Sequence, residues 1–229
     1  MRRSMASENR RRCLMGRLAL AVLLFSSAGR ILQAGVTVVV SESDFLLLLG
    51  SGYYIERFDK FPAAYVNLPS PQSFVSGTGE YSYSITSTSG EDLYIISPEG
   101  VGRAVSVLDS KDHLLVNFAR PNVTAVGGRF FMTDYAGNLA TGSVTVRLSD
   151  GTSVSIDSGA SGVEGLFRGF SSDTPIAWLL VQGTETPGAT QWPAFGQFYV
   201  GTAVPEPSSF ALGMWGLASI VLWHKLQRK

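Results

Sequence analysis

The sequence is poorest in the residues that most often carry catalysis and metal binding. It contains one cysteine, Cys13, and two histidines, His113 and His224, in 229 residues. Cys13 lies in an N-terminal segment that we expect to be removed, so the mature body holds no disulfide, thiolate metal ligand or cysteine nucleophile. A lack of disulfides does not argue against export, because a domain of this size can bury an adequate core without them.

Charged residues are also scarce, at 16%, and the formal net charge of zero conceals an uneven distribution. Six arginines and one acid lie in the first seventeen residues, and three basic residues and one acid lie in the last 26. The remainder keeps 9 of the 18 basic and 16 of the 18 acidic residues, a net charge of −7. Such a body lacks the basic surface that binds phosphate backbones, so we expect no nucleic-acid partner.

Residues 1–34 have the layout of a secretory signal peptide. Arginines crowd the start, and an apolar run over 18–25 follows, which is too short to span a bilayer. Small residues then predict cleavage after Ala28 or after Ala34. Export through the general translocon is the simpler interpretation, and the pair Arg11–Arg12 leaves a twin-arginine route open.

The body, residues 35–203, shows the pattern of an all-β domain. Short β-branched or alternating segments recur every 8 to 12 residues between turn signals, as in antiparallel sandwiches and barrels. An Asp150–Gly151 turn between two alternating segments predicts a β-hairpin. No segment indicates a helix, and the run 45–49 is of uncertain type. The predicted strands are 36–40, 81–86, 93–96, 104–108, 114–118, 123–126, 129–132, 143–148, 153–156, 165–170, 176–181 and 197–200.

The last 26 residues, 204–229, combine a stiff motif, an apolar run and a basic end. The two prolines of the motif favour an extended, exposed peptide. The run 210–223 would form a helix of about 21 Å, a marginal bilayer span. Basic residues prefer the cytoplasmic side, so the body would face outward. The motif is Val204, Pro205, Glu206, Pro207 and Ser208, and the basic end contains Lys225, Arg228 and Lys229.

This tail closely resembles the PEP-CTERM sorting signal, also described as the C-terminal domain of ice-binding proteins. The resemblance implies recognition by an exosortase, a membrane transpeptidase of Gram-negative bacteria, and cleavage near the Pro-Glu-Pro motif. It also implies transient anchoring in the inner membrane, then release to the cell surface or the extracellular matrix, often beside exopolysaccharide. The sequence has no regular Thr-x-Thr ladder of the kind that would indicate ice binding.

The body resembles the corresponding domain of many PEP-CTERM proteins over roughly 56–201. The segments that carry this resemblance are 121–134, 142–152, 167–176 and 197–201. The resemblance implies an antiparallel, jelly-roll-like β-sandwich. It implies no established activity that could be transferred residue by residue.

No arrangement of residues predicts a catalytic site. His113 lies in a polar segment before a strand, and no Gly-x-Ser-x-Gly elbow accompanies it, so we expect a surface turn histidine. Asp157–Gly159 matches the core of an aspartic protease motif, but a second copy is missing and a turn is favoured. A structural calcium is a weaker alternative, through Asp134 with Asn138 or Asp109 with Asp112; we expect no other cofactor.

Exposed aromatic side chains are the usual means by which a sandwich stacks on sugar rings. Tyr53, Tyr54, Tyr135, Trp178 and Trp192 are candidates. Trp178 lies in an apolar strand and is expected in the core. Tyr135 after a turn and Trp192 in a polar loop are the better candidates for ligand stacking.

The sequence therefore predicts an exported, non-enzymatic surface or matrix protein that binds polysaccharide. One alternative is a carbohydrate-active hydrolase on the same sandwich, since paired carboxylates can occur among sixteen acids. A ligand-free structural envelope protein is the other. The expected partners are the export translocon, an exosortase, the inner membrane and exopolysaccharide.

Overall fold

A computed structural model describes residues 35–50, 52–61, 65–159, 162–184 and 186–204. The predicted signal peptide lies outside the described residues. So do the sorting motif from Pro205 onward, the predicted membrane segment 210–223 and the basic end. Across the described part of the chain, no helix has the length and apolar character needed to cross a membrane.

The described residues form fifteen strands, one α-helix and one short 3₁₀ turn. The helix is α1 (Glu42–Leu48) and the 3₁₀ turn is Glu164–Leu166. The strands, in chain order, are β1 (Val36–Val39), β2 (Tyr54–Glu56), β3 (Val66–Leu68), β4 (Gln72–Val75), β5 (Ser82–Ser87), β6 (Leu93–Ile96), β7 (Ala104–Val107), β8 (Leu114–Phe118), β9 (Ala125–Thr133), β10 (Leu139–Ala140), β11 (Gly142–Leu148), β12 (Ser153–Ser158), β13 (Phe167–Ser172), β14 (Trp178–Thr184) and β15 (Trp192–Gly201).

The strands build two antiparallel sheets, so the predicted all-β, antiparallel sandwich is confirmed. The nine-stranded sheet has the order β1-β13-β9-β15-β7-β6-β3, with β10 beside β9 and β2 beside β15. The six-stranded sheet has the order β12-β11-β14-β8-β5-β4. The predicted hairpin is confirmed as β11 and β12, where Val146 opposes Val154 and Gly151 adopts a φ of 94°.

The main core lies between the two sheets and is rich in aromatic rings. Tyr83 stacks on Phe74 with ring centroids 5.2 Å apart and meets the edge of Phe198 at 5.5 Å. Phe198 in turn contacts Phe195 at 5.0 Å. These rings join β4 and β5 of one sheet to β15 of the other, and burial of this apolar surface is the main force holding the layers together.

Helix α1 packs on the outer face of the nine-stranded sheet, and its presence shows that the expectation of no helix was wrong. Ser41 caps it by accepting a hydrogen bond from the backbone N–H of Asp44 at 3.3 Å. Phe45 is fully buried over two glycines. A Cβ built on Gly127 would lie 2.8 Å from the Phe45 ring, and one on Gly169 only 2.3 Å. The helix therefore depends on a notch in the sheet that lies far away in the sequence.

Glycine and proline misled the strand predictions in several places. The predicted strands 123–126 and 129–132 are one continuous strand, β9, because Gly127 and Gly128 accommodate aromatic rings rather than a turn. Strand β15 begins at Trp192, so placing that residue in a loop was wrong. The strands that the sequence did not predict are β2, β3, β4 and β10.

Candidate ligand-binding site

The two aromatic residues favoured by the sequence, Tyr135 and Trp192, line the same cavity of about 210 Å³. Tyr135 is 88% exposed and Trp192 is half-buried. The full lining is Tyr94, Ile96, Ser106, Val107, Leu108, Thr133, Asp134, Tyr135, Gly137 and Trp192. We call this the aromatic pocket.

The floor of the aromatic pocket is the outer face of the nine-stranded sheet. Tyr94 opposes Ser106 across β6 and β7, and Ser106 opposes Ala194 of β15. Thr133 opposes Trp192, two residues before Ala194 on β15. Because side chains alternate along a strand, Tyr94, Ser106 and Thr133 lie on the face opposite the main core. Trp192, at the start of β15, also packs against the edge of that core. Four strands thus present one continuous surface.

The indole of Trp192 is held in place by a hydrogen bond. Its Nε1 donates to the carbonyl of Leu108 at 3.0 Å. Nearby, Ser106 Oγ donates to the carbonyl of Pro193 at 3.0 Å and ties β7 to the start of β15. An aromatic ring fixed in this way loses little conformational entropy when it contacts a ligand.

Tyr135 stands at the tip of the turn between β9 and β10. Asp134 Oδ1 accepts the backbone N–H groups of Ala136 and Asn138, each at 2.9 Å. Asn138 Nδ2 donates to the other carboxylate oxygen at 3.3 Å. Gly137 completes the turn with a φ of 75°. The predicted Asp134–Asn138 calcium pair is therefore a hydrogen-bonded turn whose carboxylate already has three donors.

Two aromatic residues beside this turn, Tyr94 and Tyr65, were not predicted from the sequence. Tyr94 lies on the pocket floor, and its ring is 6.2 Å from that of Tyr65. Tyr65 is 52% exposed, and its hydroxyl donates to the carbonyl of Ala136 at 2.9 Å. The alternation Leu93-Tyr94-Ile95 in β6 could have indicated an outward Tyr94. Tyr65 lies in a proline-rich region without such a signal.

The pocket is close to electrically neutral. Among the described residues that line it, Asp134 is the only charged one, and no cationic side chain is present. Ser106 and Thr133 are each 2% exposed and their hydroxyls donate to the carbonyls of Pro193 and Trp192, whereas the phenol of Tyr135, on a side chain 88% exposed, is open to a ligand. This surface can stack on a polar, uncharged ring and exchange hydrogen bonds with it, but it offers no countercharge to a strong anion.

The other aromatic candidates lie elsewhere. Trp178 is half-buried at the start of β14 in the six-stranded sheet, rather than fully in the core. Tyr53 is 40% exposed near Tyr199, with ring centroids 6.3 Å apart. Tyr54 donates to Glu56 Oε2 at 2.6 Å, and burial followed by this hydrogen bond raises the pKa of Tyr54 well above its ordinary value.

The second predicted calcium pair is also a hydrogen-bonded turn. Asp112 is 5% exposed, and its carboxylate accepts hydrogen bonds from the hydroxyls of Thr88 and Ser89 and from the N–H of His113. Burial alone would raise the pKa of Asp112, but these hydrogen bonds outweigh it and lower the pKa. Asp109 accepts the N–H of Lys111 at 3.0 Å. Within the described ranges, no group of three or more His, Cys, Asp or Glu side chains is placed to hold a metal ion.

The residues of the two weak catalytic motifs, His113 and Asp157–Ser158, lie in or beside strands. His113 is half-buried rather than on the surface, and its Nδ1 is buried without a partner. Asp157 and Ser158 end strand β12 instead of forming a turn. Ser158 is buried, and its Oγ accepts the N–H of Met132 at 3.0 Å. This serine links the two sheets, which accounts for its burial.

A second cavity, of about 370 Å³, lies at the start of α1 and contains two glutamates, Glu42 and Glu164. Arg129 Nη2 donates to Glu42 at 3.0 Å, and Gln197 Nε2 donates to it at 2.7 Å. The hydroxyl of Tyr199 also donates to Glu42. Burial, and then this hydrogen bond, raise the pKa of Tyr199 to about 12. No local sequence pattern indicated this cluster, because its members come from four distant segments.

Gln197 reaches Glu42 from an unusual backbone position. Its φ is 48°, and the pairing of β15 with β9 shifts register between Gly196 and Tyr199. A β-bulge of this kind redirects side chains, and strain of this kind costs about 1–3 kcal/mol. The bulge explains how an amide on a buried central strand reaches the carboxylate of Glu42.

Comparison with protein-family models found no match, and comparison with curated proteins found none either. Among solved structures, the chain is similar to CsCBM6-3 from Clostridium stercorarium in complex with cellobiose, with 16% identity and a TM-score of 0.28 over 63% of this chain and 100% of that one. It is also similar to the exo-β-1,3-galactanase Pc1,3Gal43A from Phanerochaete chrysosporium with galactose, with 18% identity and a TM-score of 0.28 over 60% of this chain. The match spans 29% of the galactanase. Similarity at this level carries no inference about ligand or activity.

Proposed function

We propose that this protein is an exported surface or matrix protein whose sandwich, of jelly-roll type, binds a neutral polysaccharide in the aromatic pocket. The observation that carries the proposal is the convergence of Tyr135 and Trp192, 57 positions apart in the sequence, on one cavity with Tyr94. The function is binding without catalysis at this site.

The chemistry of the pocket supports a sugar over a purely apolar ligand. Aromatic faces pack against the C–H groups of a sugar ring, while the exposed hydroxyl of Tyr135 can exchange hydrogen bonds with its hydroxyl groups. A cavity of about 210 Å³ is small and suits one sugar unit with its neighbours extending into solvent. Over residues 35–203 the body has 16 acidic and 8 basic residues, and this negative charge would repel acidic polymers, which favours a neutral one.

Isothermal titration against neutral and acidic polysaccharides, including the host's own polymer, tests this proposal. Tyr135→Ala should weaken binding of the neutral polymer at least tenfold without loss of stability, because the side chain is 88% exposed. Tyr53→Ala is a matched control, since Tyr53 is an exposed tyrosine outside the pocket. Trp192→Ala should weaken binding further, with its folding checked by circular dichroism.

Two results would contradict sugar binding at this pocket. Equal losses of polysaccharide affinity in the Tyr135→Ala and Tyr53→Ala variants would show that the aromatic pocket is not the binding site. Absence of binding to every polymer would instead favour the ligand-free envelope protein.

The same proposal includes the sorting route. The N-terminal signal segment and the tail from Val204 onward support export, temporary anchoring through 210–223, and exosortase processing near Pro205–Pro207. A periplasm-active reporter fused after residue 203 should be active. Replacing Lys225, Arg228 and Lys229 by acidic residues should reduce membrane retention. A reporter that is active only in the cytoplasm would refute export.

The second cavity makes a glycoside hydrolase the second candidate function. Glycosidases use two carboxyl groups across one site, and Glu42 and Glu164 line one cavity. Glu42 is held by Arg129, Gln197 and Tyr199, whereas Glu164 is exposed. Glu164→Gln should then abolish release of reducing sugar while leaving the fold and polymer binding unchanged. Equal release by this variant, or none by the parent protein, would eliminate this candidate.

A further inference from the structure

The described chain ends at a point that is firmly attached to the sandwich. Gly50 donates its N–H to the carbonyl of Thr202 at 3.0 Å, and Val204 donates its N–H to the carbonyl of Leu48 at 2.9 Å. Leu49 and Ala203 form an isolated β-bridge between them. The segment that leads to the sorting motif therefore leaves the body beside the C-terminal end of α1.

Three apolar side chains surround this point without being covered. Leu47 on α1 is 82% exposed, Val204 is 53% exposed and Tyr53 is 40% exposed. A Cβ built on Gly50 would contact Val204, and one built on Gly201 would lie 3.1 Å from Tyr53 Cβ. Leu47 precedes Leu48, whose carbonyl accepts the N–H of Val204. We call this surface the tail-exit patch. Exposed apolar patches commonly mark a surface that has a partner.

The distance along the chain indicates which partner is within reach. Five residues, 205–209, separate Val204 from the apolar run that begins at Phe210. Six residue steps span at most about 22 Å when fully extended. If the run 210–223 lies in a bilayer, the patch is held within this distance of the lipid surface.

The aromatic pocket lies at the opposite end of the same strand. Trp192 begins β15 and Gly201 ends it, three residues before Val204. Nine residue steps at the rise of a β-strand separate these two positions by about 30 Å. A body that places the tail-exit patch against a membrane therefore directs the pocket away from it.

We propose that the tail-exit patch contacts the lipid surface while the chain is anchored, and that this contact holds the aromatic pocket outward toward polysaccharide. Leu47 enters the interfacial layer, and Tyr53 places an apolar ring with a polar hydroxyl at the boundary. Glu80 lies near Gly52 at the edge of the patch and Asp44 lies on α1, so the contact favours zwitterionic over anionic lipid. This inference rests on the membrane anchoring included in the proposed function.

The test uses the full chain inserted in phosphatidylcholine vesicles, in a Cys13→Ser background. Single variants Leu47→Cys and Leu108→Cys carry the same environment-sensitive fluorophore. Leu108 is a matched control, because it is an exposed leucine at the pocket end whose carbonyl binds Trp192. Flotation of the vesicles measures anchoring separately from the fluorescence readout.

The expected result is flotation of both variants, with fluorescence at position 47 quenched by nitroxide lipids at least threefold more than at position 108. Equal quenching at both positions in floating protein would overturn the patch contact while leaving anchoring intact. If added unlabelled protein abolished the stronger quenching at position 47, a second copy of the chain would be binding the patch in place of lipid, which would overturn the lipid contact. Failure of the protein to float would overturn the anchoring and this inference together.

Discussion

The fit of Phe45 over Gly169 gives a quantitative test of how α1 is attached to the sheet. A Cβ at position 169 would lie 2.3 Å from Phe45 Cδ2 and 2.6 Å from Cγ. The clash involves the base of a buried ring, which cannot move away without displacing the helix. Overpacking of this kind costs about 1–3 kcal/mol, so Gly169→Ala should lower the free energy of unfolding by roughly that amount.

The complementary change, Phe45→Ala, removes a fully buried ring and should cost about 3–5 kcal/mol. In the double variant, the added methyl group occupies space that the ring has left, so the two costs should fall short of their sum by more than about 1 kcal/mol. Urea unfolding followed by tryptophan fluorescence measures all four proteins of the cycle.

Gly77→Ala is the matched control, because a Cβ at position 77 would contact nothing within 4 Å. This variant should unfold at nearly the parent's urea midpoint. Strict additivity of Gly169→Ala and Phe45→Ala, or a loss in Gly77→Ala equal to that in Gly169→Ala, would refute the notch as the reason that α1 packs here.

Three further predictions concern ionisable groups and the pocket turn. Because the pKa of Asp112 is lowered on folding, its contribution to stability is present above the unfolded pKa and is lost as pH falls through the folded pKa. In Asp112→Asn, the free energy of unfolding should therefore fall less steeply as the pH is lowered into the acidic range. The pKa of Tyr199 is raised to about 12 on folding, so its contribution to stability is present below pH about 10 and is lost as the pH rises to about 12. Glu42→Gln should shift the tyrosinate absorbance of Tyr199 to lower pH, because Glu42 helps to raise this pKa. An unchanged titration would contradict this. Asp134→Ala removes the acceptor that orders the turn carrying Tyr135 and should weaken polymer binding severalfold. If this variant bound the polymer as tightly as the parent protein, binding would not require an ordered turn.

The sequence predicted an element correctly where neighbouring residues are enough to specify it. The Asp150–Gly151 turn and the alternation on either side specify the β11–β12 hairpin, and the structure has it. Helix α1 could not be predicted in the same way. Its seven residues are too few to be stable alone, and it exists because Phe45 fits between Gly127 and Gly169.

Glycine illustrates why the remaining strands were difficult to assign. Next to Asp150, Gly151 takes a left-handed conformation and makes a turn. In β9, Gly127 and Gly128 continue a buried strand, because missing side chains make room for rings from other segments. The same residue type therefore has opposite meanings, and only the neighbours brought by folding distinguish them.

By itself, the sequence determined the class of the body, its acidic charge and the expected route of export, because composition and periodicity are properties of the chain alone. It also singled out Tyr135 and Trp192 as separate candidates for stacking. Only the tertiary structure placed both on one cavity with Tyr94, and it placed that cavity at the far end of β15 from Val204. Pairing between strands distant in the sequence decides these positions, and no local pattern encodes it.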